Sequence, residues 1–178
     1  MDLDSYRKDF EQSANRSVSL PIAGAIVWLA VGLLSTQLSE RMGVLVLMIG
    51  SGVIFPLGLL IANLRHEALI SSVNPLARLM GLCVLMVNLL WALHIPLFLY
   101  ATEFVPLSLG IGLGLHWVVY SWIVRHPVGI QHAILRTLLV VAAWMVFPET
   151  RILAVSVVIA LAYAISISQM LTRPIEAT

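Results

Sequence analysis

Gly112, His116 and Tyr120 recur at every fourth residue, a spacing that stacks side chains on one face of a helix. Imidazole titrates near pH 6.5 in water, and phenols and carboxamides both donate and accept hydrogen bonds. Asn88 and His94 fall in the preceding apolar stretch. Asn88, His94, Gly112, His116 and Tyr120 therefore make a candidate polar cavity suited to a small solute or a proton. The competing reading is an interhelical hydrogen bond that fixes packing, worth about 1 kcal/mol in a membrane. No Ser-His-Asp, Cys-His or paired-acid set accompanies them, so hydrolytic chemistry has no obvious machinery. The expectation is a protein that is not an enzyme.

A second cluster consists of Arg125, His126, His132 and Arg136. Two histidines without a third ligand or a carboxylate close in sequence do not make a zinc site. Basic side chains at a helix end suit an anionic lipid headgroup, with Arg136 running its stem back to the interface. The single cysteine, Cys83, rules out an intrachain disulfide and reads as a small packing residue. No metal and no cofactor is expected. Gly110-x-x-x-Gly114 lets two helix backbones approach closely, within the chain by preference, with dimerisation as the alternative. These glycines follow no strand, so they are not a phosphate loop.

The elements that position these residues are written in the charges. Five stretches of 21 to 24 residues contain no Asp, Glu, Lys or Arg. Roughly 20 apolar residues of helix cross a hydrocarbon layer about 30 Å thick. Hydrophobic residues make up 60% of the chain and charged ones only 11%, against about 25% charged in soluble domains. The expected fold is all-α: a single domain over 1–178, an integral membrane bundle of six transmembrane helices. The spans fall at about 20–37, 43–63, 79–100, 105–124, 129–147 and 152–171. Pro56 and Pro96 should kink the second and third, because proline removes a backbone hydrogen bond. The fifth span is the weakest, since Arg136 lies about 10 Å inside it at 1.5 Å per residue.

Residues 1–17 mix both charge signs with Leu3, Tyr6 and Phe10 at helical spacing, an amphipathic segment expected at the cytosolic surface. They do not read as a cleavable signal peptide. Eight Lys and Arg residues fall on the side of the N-terminus, and Arg41 and Arg151 on the other. The excess of basic residues places both termini in the cytosol. A net charge of +1 with no basic patch gives no reason to expect nucleic acid. Membrane lipid is the expected partner, with a homo-oligomer or another membrane protein as further candidates. No Asp or Glu lies within a span, which argues against a carboxylate-driven ion carrier.

Val27-Trp28-Leu29-Ala30, Phe55-Pro56-Leu57-Gly58 with Leu60-Ile61-Ala62, and Asn74-Pro75-Leu76-Ala77-Arg78 carry a resemblance. Over about residues 17–170 the chain resembles a family of small bacterial multipass membrane proteins of unknown function. The resemblance implies a compact bundle in a bacterial inner membrane and no particular activity. Two functions remain in view. One is handling of a small solute or lipid through a cavity between helices 2, 3 and 4, and the other is a structural or regulatory role beside another membrane protein.

Overall fold

The computed structural model describes residues 2–14, 16, 18–68 and 73–174, and among them there is no strand. Helix α1 (Leu3–Ala14) buries Phe10 and Ala14. It is followed by α2 (Ser19–Ser35) and α3 (Glu40–Arg65), then by α4 (Pro75–Leu89) and α5 (Trp91–Tyr100). Next come α6 (Val105–Gly112), α7 (Trp117–Val124), α8 (Val128–Val146) and α9 (Arg151–Thr172). Short 3-10 turns at Thr102–Phe104 and Pro148–Thr150 lead into α6 and α9.

Among the described residues, five segments are long and apolar enough to cross a membrane: Glu40–Arg65, Pro75–Tyr100, Thr102–Val124, Val128–Val146 and Pro148–Thr172. The α1–α2 pair, bent by 52°, makes a sixth if it is counted as one span. These helices are compatible with a membrane location. α8 is an unbroken helix of 19 residues, so Arg136 does not interrupt the fifth segment.

Two expected helices are interrupted. The third divides at Leu90, where the amide bonds back only three residues to the Val87 carbonyl, at 3.2 Å. The break precedes Pro96, which lies inside α5. A proline ring crowds the carbonyl four residues earlier, so the turn upstream of Pro96 is the one under pressure. α3, by contrast, is continuous across Pro56. The fourth segment opens over Leu113–His116, just after Gly110 and Gly112 and around Gly114. Glycine costs roughly 1 kcal/mol against alanine in a helix interior, and three in five residues weaken the helix enough to loosen it.

Packing is organised around α2, which lies broadly against α3 and α9, while α8 packs on α9, α7 and α6. Missing side chains allow these approaches. A Cβ on Gly32 would lie 2.6 Å from Ser156 Cβ, and one on Gly50 2.7 Å from Val31 Cγ2. α4 instead rests on α1, α5 and α7, and hardly touches α3. A gap is left between α3 and α4.

The connection between those helices is fastened at both ends. Buried Glu67 accepts from Arg65 Nε at 2.7 Å and from the Ser19 amide at 3.1 Å, placing a carboxylate at the N-terminus of α2, where the helix dipole favours it. Asn74 caps α4 by accepting from the Leu76 amide at 2.8 Å, with Pro75 at the first helical position. Its amide donates to the Tyr6 carbonyl at 2.8 Å and to Asp9 Oδ2 at 2.6 Å. Asn74→Ala should cost about 2 kcal/mol through the lost cap and the unpaired groups left behind. A thermal midpoint unchanged from wild type in detergent would contradict that cap.

α1 is held from the other side by ion pairs. Asp4 pairs with Arg125 at 2.6 Å and with Arg7 at 3.3 Å, and Glu11 pairs with Arg173. Arg16 donates to the carbonyls of Met170 and Arg173, each at 2.9 Å.

Candidate functional site

A cavity of about 230 Å³ occupies the gap between α3 and α4. α3 contributes Ser51, Gly52 and Phe55, and α4 contributes Val84, Val87 and Asn88. His116, Trp117 and Tyr120 form the back, Tyr163 of α9 closes one side, and Phe10 and Ala14 of α1 form the floor. Asn88, His116 and Tyr120, expected from sequence to converge, all line it. Asn88 stands exposed on α4 and donates to the Val84 carbonyl at 2.9 Å, and Gly52 is exposed on the opposite helix. The break at Leu113–His116 brings His116 to the N-terminal cap position of α7, with Tyr120 one turn on.

His94 and Gly112 lie elsewhere. His94 is buried with Nδ1 3.0 Å from Ser108 Oγ. The Ser108 hydroxyl also lies 3.2 Å from the Val105 carbonyl. Its ring sits edge-on to Trp91 at 6.3 Å. A Cβ on Gly112 would lie 2.9 Å from Leu90 Cδ1, so Gly112 makes room for helix packing. These two residues hold α5 to α6.

The four residues expected at a lipid headgroup are divided by the structure. Arg125 is exposed and paired with Asp4, and His126 Nδ1 accepts from the Val128 amide at 3.2 Å. His132 and Arg136 are buried inside the bundle. Arg136 is 0% exposed and does not run back to the interface. The reason is that the bundle satisfies much of it. Its Nε donates to the Gly110 carbonyl at 2.6 Å and Nη1 to the Tyr163 hydroxyl at 2.9 Å. The guanidinium also lies 5.6 Å from the Trp28 ring and 5.2 Å from the Tyr163 ring, within range of cation–π attraction. The broken fourth segment contributes the Gly110 carbonyl, whose helical acceptor role lapses because Gly114 N bonds to Ile111 instead.

His132 stacks on Trp117 with centroids 4.0 Å apart and lies 5.0 Å from the Tyr163 ring. Its Nδ1 is 2.8 Å from Ser166 Oγ, which donates to the Ala162 carbonyl at 2.9 Å. Buried atoms in this region without a hydrogen-bond partner among the described residues include Arg136 Nη2, His132 Nε2, His116 Nδ1 and Trp28 Nε1. No carboxylate forms an ion pair with Arg136 among the described residues. Nor is any group of three His, Cys, Asp or Glu there placed to hold a metal.

Sequence reasoning missed Tyr163 and Trp28 as partners of Arg136. The only signal was a cation inside an apolar run with no acid nearby. Tyr163 owes its position to Gly24, where a Cβ would come 2.7 Å from the phenol ring.

The chain belongs to a family of unknown function (DUF7010), whose model matches residues 3–173. The match starts before the first apolar helix, so it takes in α1, which the expected resemblance left out. No curated protein and no solved structure matches the chain.

Proposed function

We propose, for this member of a family of unknown function, a six-span protein of a bacterial inner membrane that handles a small lipid-like molecule without enzymatic chemistry. The observation behind this reading is the cavity between α3 and α4, apolar over most of its wall and polar at its back. Two helices that hardly touch leave a lateral way in for a molecule dissolved in lipid. Pockets that hold small molecules have this composition, a largely apolar lining with a few placed polar groups. Both termini and α1 lie on the cytosolic side, where the basic residues concentrate.

The alternative, a structural or regulatory partner of another membrane protein, has less to stand on. Gly24, Gly32, Gly50 and Gly110, the residues best suited to close contact, are spent inside the bundle.

Gly52 supplies the test. A Cβ there meets no atom of the described residues within 4 Å, so Gly52→Trp should fill the mouth of the cavity without disturbing the helix. Losing a helical glycine should not weaken the helix, since tryptophan is the better helix former of the two. In native mass spectrometry of protein released from its membranes, wild type should carry an amphiphile that the variant lacks. Equal occupancy of the two proteins would refute the cavity as a binding site.

A further inference from the structure

We infer that the molecule the cavity takes is a single-chain carboxylate, held by its anionic head against Tyr163 and His116 of the wall, with the Arg136 guanidinium behind Tyr163; this rests on the cavity reading above. Arg136 is a full positive charge, wholly buried, with one nitrogen lacking a partner and no carboxylate paired to it among the described residues. Charges buried in apolar surroundings are paired or cost heavily. Its hydrogen bonds go to neutral oxygens, the Gly110 carbonyl and the Tyr163 hydroxyl, which leave the charge itself uncancelled.

The charge faces the cavity through one layer of side chain. Tyr163 lines the cavity, and its oxygen accepts from Arg136, so its own proton remains to be donated. A phenol polarised by a guanidinium is a strengthened donor. His116, also in the wall, presents an unpartnered Nδ1. Trp28 and Tyr163 hold the guanidinium by their ring faces, so the donor set is fixed in place before anything binds.

Charge and size narrow the ligand. One cation neutralises one negative charge, which favours a carboxylate over a phosphate dianion. The volume, about 230 Å³, exceeds the roughly 150 Å³ that accepts benzene in an engineered apolar cavity. It holds a head and the first few carbons, and a longer tail must leave between α3 and α4, past Gly52 and Asn88. A free small anion would use the same donors but leave the apolar lining empty.

The test uses the purified full chain stripped of lipid, titrated at about pH 8 with radiolabelled palmitate and with hexadecanol, which has the same length and no charge. Wild type should bind palmitate at least about tenfold more tightly, as a charge-assisted contact implies. Arg136→Gln should bring that ratio to about one and leave hexadecanol binding unchanged. Equal affinities in wild type, or a palmitate preference that survives in Arg136→Gln, would overturn the inference. So would displacement of palmitate by inorganic phosphate or acetate alone, which would point to a free anion. The wild-type comparison decides the matter even if the variant does not fold. Gly52→Trp separates the two readings. If it weakens both probes while wild type does not discriminate, the cavity stands and the anionic head falls. If it weakens neither, the cavity reading falls and the inference with it.

Discussion

Gly129→Ala is expected to cost about 3 kcal/mol, at the upper end of what overpacking does in a well-filled core. Gly129 lies in the first turn of α8, buried against α7. A Cβ there would overlap the backbone carbonyl of Trp117 and approach Ser121 Oγ at 2.9 Å. Backbone cannot swing aside as a side-chain tip can, so α7 and α8 must separate. The same separation would open the Trp117–His132 stack and strain the bond from the Ile130 amide to Ser121 Oγ, now 2.8 Å. Unfolding of the purified variant in detergent is the measurement. A loss under about 0.5 kcal/mol, no more than an ordinary surface change, would mean that the two helices have slack.

Arg136→Met should separate stability from binding. Removing the guanidinium leaves the Gly110 carbonyl without its donor, a penalty of about 1–3 kcal/mol. Against this stands the cost of holding an arginine at membrane depth, about 2.5–3.5 kcal/mol on insertion scales. Methionine keeps the unbranched stem and fills irregular space well. Stability should therefore stay level or rise by up to about 2 kcal/mol, while palmitate retention falls at least about tenfold. A structural staple would give the opposite pattern, a loss of 3 kcal/mol or more together with unchanged retention. Comparing the midpoint of unfolding with palmitate binding on one preparation discriminates the two.

Most of the helices were legible because they are apolar runs between charges, and their ends fall within a few residues of the expected ones; α8 is the exception, since it carries Arg136 inside it. The convergence of Asn88, His116 and Tyr120 was legible too, since four-residue spacing and depth constrain where a side chain can reach. Azimuth was not. Position along α8 gives the depth of Arg136, but whether it faces lipid or the bundle depends on α6 and α9, and local sequence does not encode that. The break at Leu113–His116 was hidden for a related reason. Gly110, Gly112 and Gly114 read as close-packing residues, and a cluster of them both packs closely and loosens its helix. His94 read as a cavity residue because depth alone does not reveal Ser108 beside it. The Asn74-Pro75 pair was visible as a motif, and the cap supplies its physical reason.

The floor of the cavity is held by a different kind of force from its walls. Phe10 and Ala14 close it from α1, and α1 is tied down in part by Asp4–Arg125 and Glu11–Arg173, beside its hydrogen bonds from Asn74. Exposed ion pairs such as Asp4–Arg125 contribute about 0–1 kcal/mol and weaken as salt shortens the Debye length to about 8 Å at physiological strength. Salt thus reaches the cavity through its floor, by way of the exposed Asp4–Arg125 pair, and under the function proposed above it would change the depth of the site while leaving the helices of the walls alone.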